Sequence, residues 1–418
     1  MTIKSRLKIM MSLQFFIWGC WLVTLGSYMF NTLQFTGTQV GGVYSSIGLA
    51  SLLMPSLVGI IADRWIKANR LYGICHFLGA IFLFSAAGIS DPNLMFWAML
   101  FNAMVYMPTI SLSYTISYFC LEKEGLDTTK DFPSVRVFGT ISFILAMWII
   151  SLGGFELSNI QLYMAAGASF LLALYSFTLP DNPTSNVKKD KSLVSLLGLD
   201  AFVLFKQKRM AIFFIFAMLL GAALQINLVF ADPFLHDFAS IANYKDSLVV
   251  KYPAILLSMG QIAEVFFILA IPFFLRKFGI KTVMLLSMVA WTLRFILFAY
   301  GDPSSVGVIL LLLSMIVYGA AFDFFNISGS IFVEKEVDSR IRGSAQGLFM
   351  TMVNGIGTYL GAVLSGKMVD YFTINGVKDW QSIWLVFAAY TFVLAIIFAV
   401  SFKYKNDHNG IKNVNNVA

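Results

Sequence analysis

Charge is the scarcest property of this sequence. Asp, Glu, Lys and Arg make up 12% of its 418 residues, against about 25% in soluble chains. That deficit excludes a water-soluble enzyme, and it equally excludes a disordered chain, which needs high charge and little apolar content. Histidine occurs three times (His76, His236, His408) and so does cysteine (Cys20, Cys75, Cys120). No CxxC pair, HExxH run or Ser/His/Asp arrangement is formed from them, so no metal centre, disulfide framework, hydrolytic site or cofactor is expected. Apolar residues fill the remainder: 58% of the chain is hydrophobic, 41 residues are Phe, and the mean hydropathy is +0.79. With roughly 20 apolar residues needed to cross a bilayer as a helix, this length accommodates about twelve crossings. The composition describes an all-α polytopic membrane protein.

The first apolar run, about 9–31, follows Lys4, Arg6 and Lys8. It outlasts the 7–15-residue apolar core of a signal peptide and carries no small-residue cleavage site, so it reads as a retained first helix. Further spans are expected near 41–62, 71–90, 93–117, 134–153, 159–179, 211–231, 253–275, 283–300, 306–333, 345–369 and 381–402. Assigning the intervening loops alternately to two sides puts 23 Lys and Arg on one and three (Lys245, Lys251, Lys378) on the other. Under the positive-inside rule both termini are then cytoplasmic, in a cell inner membrane. The net charge of +7 is thereby assigned to membrane topology, with no nucleic-acid partner implied. The polar stretch near the midpoint divides the chain into an N-terminal six-helix bundle (1–180), a cytoplasmic linker (181–210), a C-terminal six-helix bundle (211–403) and a cytoplasmic tail (404–418). Short basic turns, GIIADRWIKANR (59–70) and FFLRKFGIKT (273–282), follow the second and eighth spans. Two halves related by such a repeat are a recognised transporter plan, with the substrate held between them near mid-membrane.

An ionisable side chain at the bilayer centre costs at least about 2.5–3.5 kcal/mol on insertion scales, and so marks a functional position by default. Glu264 lies midway along the eighth span, Arg294 in the ninth, Asp323 deep in the tenth and Arg136 in the first turns of the fifth. The amides Gln225, Gln261, Asn326 and Asn354 join them. Gln261 and Glu264, three apart, are neighbours on one helix. Tyr318, Phe322 and Asn326 step by four with Asp323 beside them, and Arg136, Thr140 and Phe143 step by four and three. Such stripes combine hydrogen-bonding groups with ring faces, which suits a polar ligand carrying a flat heterocycle. Plainer readings stand beside this one: Phe143 and Phe322 as packing, the amides as interhelical glue, Arg294 as snorkelled or paired with an acid, and His76 as packed structure. A carboxyl differs from all of these because it can neutralise itself by taking a proton. Desolvation favours its protonated form and a nearby cation its charged form, so Glu264 and Asp323 are the expected proton-coupling residues.

The runs DFPSVRVFGT (131–140), SLLGLDAFVLFK (195–206), YGAAFDFFNISGSIFVEKEV (318–337) and SAQG (344–347) resemble the nucleoside:proton symporters of the major facilitator superfamily. FFIWGCWLVTLGSYMFNTL at the start and DWQSIWLVFA near the end extend the likeness over essentially the whole chain, and its xanthosine-carrying branch is the most similar. The resemblance implies the major facilitator fold, a monomer in the lipid bilayer, and nucleoside and proton as partners, with xanthosine as the expected preference. It places Arg136, Thr140 and Phe143 on the N-terminal side of a substrate cavity and Gln225, Gln261, Glu264, Tyr318, Phe322 and Asp323 on the C-terminal side. The ADRW segment (62–65) is similar to the superfamily's cytoplasmic loop motif, which makes Asp63 and Arg64 expected gate residues. The sequence departs from the family pattern in the seventh span, where relatives carry Gln-Ile-Thr-Asn and then Phe-Gly-Asn. Here it reads Gln225-Ile226-Asn227-Leu228-Val229-Phe230-Ala231-Asp232. Position 227 is rotated by roughly 200° from 225 at 3.6 residues per turn, so Asn227 is not expected to replace an amide at 228 in a regular helix. Asp232 adds an acid near the outer end of the span.

The alternatives are an oligosaccharide:proton symporter of the same superfamily, a drug exporter with a larger apolar cavity, a membrane-embedded enzyme, and a receptor or scaffold. The last two leave buried acids and amides on several unrelated spans unexplained.

Overall fold

The computed structural model describes residues 2–182 and 199–404. Most of the expected linker and the tail beyond 404 lie outside the described residues. Helices occupy every predicted span. They are α1 (Ile3–Gly19), α2 (Leu25–Ser27, continued by a π turn Tyr28–Thr32), α3 (Gly37–Arg64), α4 (Ala68–Ala86), α5 (Pro92–Lys123), α6 (Thr128–Leu152) and α7 (Ile160–Ser176). After a 3-10 segment at Leu199–Lys206 follow α8 (Lys208–Asp237), α9 (Pro253–Tyr300), α10 (Ser305–Glu336), α11 (Arg342–Met350), α12 (Thr358–Tyr371) and α13 (Trp380–Ser401). Eight of the described helical stretches are long and apolar enough to cross a bilayer. A two-stranded hairpin, Thr373–Ile374 with Val377–Lys378, precedes α13.

Helix starts follow local capping chemistry. Thr36 and Gln39 form a reciprocal capping box ahead of α3, and Asp91 accepts from the Asn93 and Leu94 amides with Pro92 in the first turn of α5. Asp127 accepts from Thr129 at the start of α6. Each satisfies donors that a helix start leaves unpaired.

Two elements differ from the simple spans expected. Forty-eight residues in one helix would run about 70 Å, more than twice a hydrocarbon core of about 30 Å. Within α9, however, Gly279 has φ +75° and ψ 169°, which breaks the helix, so α9 supplies both the eighth and ninth spans. Only glycine takes that φ without strain. The first span is interrupted between Gly19 and Leu25. There the Tyr44 hydroxyl donates to the Leu22 carbonyl at 2.8 Å and accepts from the Gly26 amide at 3.1 Å, repairing backbone groups the break sets free. The break brings Val23 to the edge of an internal void.

Contacts across the molecule gather at one end, the end expected to face outward. Gly26 packs on Val229 and Pro233, and the Asp370 carboxylate accepts from the Gly37 and Thr38 amides. Ser27 donates to Asp232, and Glu156 meets His236 at 2.7 Å and accepts from the Ala254 amide at 3.2 Å. At the opposite end the ion pairs stay local: Lys4 with Asp131, Lys67 and Arg70 with Asp181, Arg209 with Glu336.

Candidate functional site

Helices α6, α8, α9 and α10 carry the predicted site residues. α9 and α10 approach closely at Gly260 and Gly319. A Cβ at Gly319 would lie 2.8 Å from the Glu264 nitrogen and 2.7 Å from the Phe267 ring, and one at Gly260 would lie 3.0 Å from the Tyr318 ring. That proximity sets Gln261 and Glu264 against Tyr318, Phe322 and Asp323. On α10 the Tyr318 and Phe322 rings are parallel within 4°, centroids 6.2 Å apart, and Trp291 meets Tyr318 edge-on at 6.0 Å. Asp323 is 4% exposed, and its Oδ2 has no hydrogen-bond partner. An unpaired carboxyl oxygen in the interior is an expensive feature with no packing purpose.

From α6, Arg136 lies in electrostatic reach of Glu264. Its Nε donates to the Tyr114 hydroxyl at 2.9 Å and its Nη1 to Thr140 at 3.4 Å, while the guanidinium lies 4.1 Å from the centre of the Phe15 ring. Tyr114 and Phe15 were not foreseen; neither sits in a patterned stripe. Phe143 is half-buried and meets the break in the first span, where a Cβ on Gly19 would lie 2.5 Å from the Phe143 carbonyl. On α8, Gln225 is buried with its Nε2 unpartnered.

Among the described residues, three of the four amides make no bond between helices. Asn326 donates to the Phe322 carbonyl at 3.0 Å, and Asn354 is exposed with its nearest acceptor the Met350 sulphur. The Gln261 amide, oriented so that its Nε2 faces acceptors, donates to the Leu257 carbonyl at 2.9 Å. All three bond within their own helical segments, which leaves them able to turn toward a ligand. His76, by contrast, is fully engaged inside the first half, with Gln14 at 2.9 Å and Ser169 at 3.2 Å. The three cysteines are buried free thiols.

Two voids border these residues. One, of about 230 Å³, is bounded by Trp291, Phe322, Asn326 and the α8 residues Leu220, Gly221 and Leu224. The other, of about 280 Å³, is bounded by Val23, Asn227, Leu228, Gln261, Arg294 and Tyr318.

Asn227 and Leu228 both border the second void on a continuous α8. Arg294 crosses from α9 to donate its Nε to Asn227 Oδ1 at 2.8 Å. Arg294 itself neither snorkels nor pairs with an acid. It is 2% exposed and sits between the Phe298 and Tyr318 rings, 4.7 and 4.6 Å from their centroids. Asp63 and Arg64 are both exposed, and no ion pair of either is found among the described residues in this conformation.

Sequence comparison matches residues 1–407 to the family described as "Nucleoside H+ symporter". The chain is 65% identical to the xanthosine permease of Escherichia coli (strain K12) over 413 residues, 99% of each chain. It is 56% identical to the nucleoside permease NupG of the same organism over 406 residues, 97% of each. The crystal structure of nucleoside transporter NupG superposes with a TM-score of 0.92 over 97% of this chain and 100% of that one, at 56% identity. A bacterial homologue of the lysosomal transporter Spinster, 13% identical, superposes with a TM-score of 0.71 over 99% of this chain and 97% of its own, a likeness of fold alone.

Proposed function

The chain belongs to the nucleoside H+ symporter family and is a multi-pass membrane transporter rather than an enzyme, and from that premise we propose that it imports nucleosides together with protons by alternating access. It works as a monomer in the cell inner membrane, with both termini cytoplasmic. The halves 1–180 and 211–403, joined by 181–210, rock about a central site. With Ser27, Glu156, Asp370 and their partners joined at the outer end, this conformation is closed to the outside.

The observation that supports this reading most is Asp323: a buried carboxyl with an unpartnered oxygen, beside a parallel pair of rings and close to Glu264. The base stacks on Phe143, Tyr318 or Phe322, where ring stacking contributes about 1–3 kcal/mol. Ribose hydroxyls bond Asp323, Glu264, Gln225 and Gln261, while Arg136 and Thr140 close the site from the first half. Protonation of Glu264 or Asp323 removes a charge that closing the cavity would otherwise desolvate. Proton loss on the inner side then favours release. Asp63 and Arg64 meet partners only in the opposite conformation, when the cytoplasmic end closes.

Uptake by a nucleoside-transport-deficient bacterium, with purine and pyrimidine nucleosides and the free bases, tests the substrate class. Import of ribosylated bases is expected, and import of free bases or sugars instead would refute it. In proteoliposomes with an acid exterior, Glu264→Gln or Asp323→Asn should abolish accumulation against a gradient while nucleoside exchange survives. If both variants still accumulate nucleoside, the coupling assignment fails.

A further inference from the structure

The fully buried Arg294 has no carboxylate partner among the described residues. Its Nε is taken by Asn227 Oδ1 at 2.8 Å and its Nη1 by the Ser314 carbonyl. Nη2 reaches no oxygen; its nearest partner is the Met315 sulphur at 3.9 Å. The acids of this half, Glu264 and Asp323, do not bond the guanidinium. Ring faces of Tyr318 and Phe298 soften its field but do not neutralise it. A buried cation left without a counter-charge is unfavourable, and this one borders a void shared with Gln261, Leu228 and Tyr318.

The donor pattern narrows what would satisfy it. Beyond the Met315 sulphur, Nη2 has no bond among the described residues, which leaves one of its protons unused. The Asn227 amide, whose oxygen is committed to Arg294, borders the same void, and no bond to its Nδ2 protons is found among the described residues. Two donor groups on one void, one of them charged, match the acceptor edge of an anion. Leu228 adds an apolar side to that void. Among nucleosides, the base with this character is a purine carrying carbonyls at both C2 and C6, whose ring N3–H loses its proton close to neutrality. The negative charge then spreads over adjacent nitrogen and oxygen acceptors. Uracil, cytosine, adenine and hypoxanthine nucleosides stay neutral under the same conditions.

We infer that Arg294, oriented by Asn227, is a specificity-determining group of the cavity, and that it favours the deprotonated base of a 2,6-dioxopurine nucleoside over neutral nucleosides. This deepens the reading of the chain as a nucleoside symporter and rests on it. Asn227 is the part of the device that the seventh span supplies, its oxygen held by the guanidinium.

Equilibrium binding to the purified full-length protein in detergent tests the inference, with xanthosine, inosine, uridine and uridine monophosphate as probes. The wild type should bind xanthosine at least about tenfold more tightly than inosine. That ratio should rise with pH through the titration of xanthosine's own N3–H. Taking a ratio of two ligands on one protein offsets the effect of the charged and titratable groups facing the cavity, Glu264, Asp323, Arg136 and Tyr318. Arg294→Gln should reduce the ratio to near one, chiefly by weakening xanthosine binding. Asn227→Ala, which keeps the charge but frees it, should lower the ratio by about threefold. Uridine monophosphate should bind no better than uridine. A ratio that does not change with pH, a parallel loss for every nucleoside in both variants, or uridine monophosphate binding as tightly as xanthosine would each overturn the inference. Should Arg294→Gln not fold, the wild-type pH dependence and Asn227→Ala still decide it. Failure of the wild type to bind any nucleoside would instead remove the symporter reading beneath it.

Discussion

At the scale of single residues, the sequence exposes its unusual members through their burial cost, and their partners remain hidden. Glu264, Asp323, Arg136 and Arg294 are conspicuous because ionisable groups are expensive in hydrocarbon. Nothing in the pattern points to Tyr114, whose hydroxyl accepts from Arg136 Nε at 2.9 Å across from a neighbouring helix. The pairing of Asn227 with Arg294 is equally unreadable from spacing, since it depends on how α9 crosses α8. Tyr114→Phe tests how far positioning of Arg136 matters. It removes one acceptor from a half-buried guanidinium that still has Thr140 and the Phe15 ring. The loss should sit near the low end for a bond to a charged group, about 1.5 kcal/mol, or roughly tenfold in the nucleoside concentration giving half-maximal uptake. The maximal rate should change little. If concentration dependence of uptake is indistinguishable from wild type, Tyr114 does not position Arg136 for substrate.

At the scale of elements, helices were legible wherever about 20 apolar residues run between polar turns. Their interruptions were not. The break after Gly19 is stitched by Tyr44, 20 or more residues away, and the π turn at Thr351–Gly357 leaves no mark in hydropathy. Gly279 was visible only as one glycine within a basic turn, although its φ is what makes the eighth and ninth spans antiparallel. Its replacement by Ala should lower stability by about 1 kcal/mol, read as a fall in the thermal midpoint of the purified protein; an unchanged midpoint would mean the turn relaxes freely. Gly319 acts at a different place, inside the bilayer. A side chain there meets the backbone of Ala263 and Glu264. Gly319→Val should therefore push α9 away from α10, at about 1–3 kcal/mol of overpacking. The Glu264–Asp323 pair would separate, and uptake should fall about tenfold or more while the protein still reaches the membrane. Retention of normal uptake by a correctly inserted variant would show that the spacing of the two acids is not critical.

At the scale of the whole molecule, the asymmetry of Lys and Arg between loops and the polar midpoint suggest a two-sided, two-part architecture. They carry no information about which end is shut, because that is set by contacts between residues far apart in sequence. The closure at the end expected to face outward illustrates the point. Ser27 and Glu156 come from the first half, Asp232, His236 and the Ala254 amide from the second, and all converge in one buried cluster. Asp232 stands out as an added acid in the seventh span, but its neighbours there had no signal of their own. Glu156 is 3% exposed with both carboxylate oxygens engaged across the interface, so these bonds exist only while the outer end is closed. Glu156→Ala removes them from that state alone and leaves an opened state, where water replaces them, nearly unaffected. A loss of about 1–3 kcal/mol shifts the balance toward outward opening by roughly 5–150-fold. Val23→Cys, bordering the central void, reports on it: a membrane-impermeant thiol reagent added outside should label that cysteine about tenfold faster or more with Glu156→Ala than without it. The native cysteines are buried and contribute little background. An unchanged labelling rate would mean that the cluster is not what holds the outer end shut. The close packing of Gly37, Gly41 and Gly48 on α12 and the turn before it would then be the principal closure, and Gly41→Val should open it in the same assay.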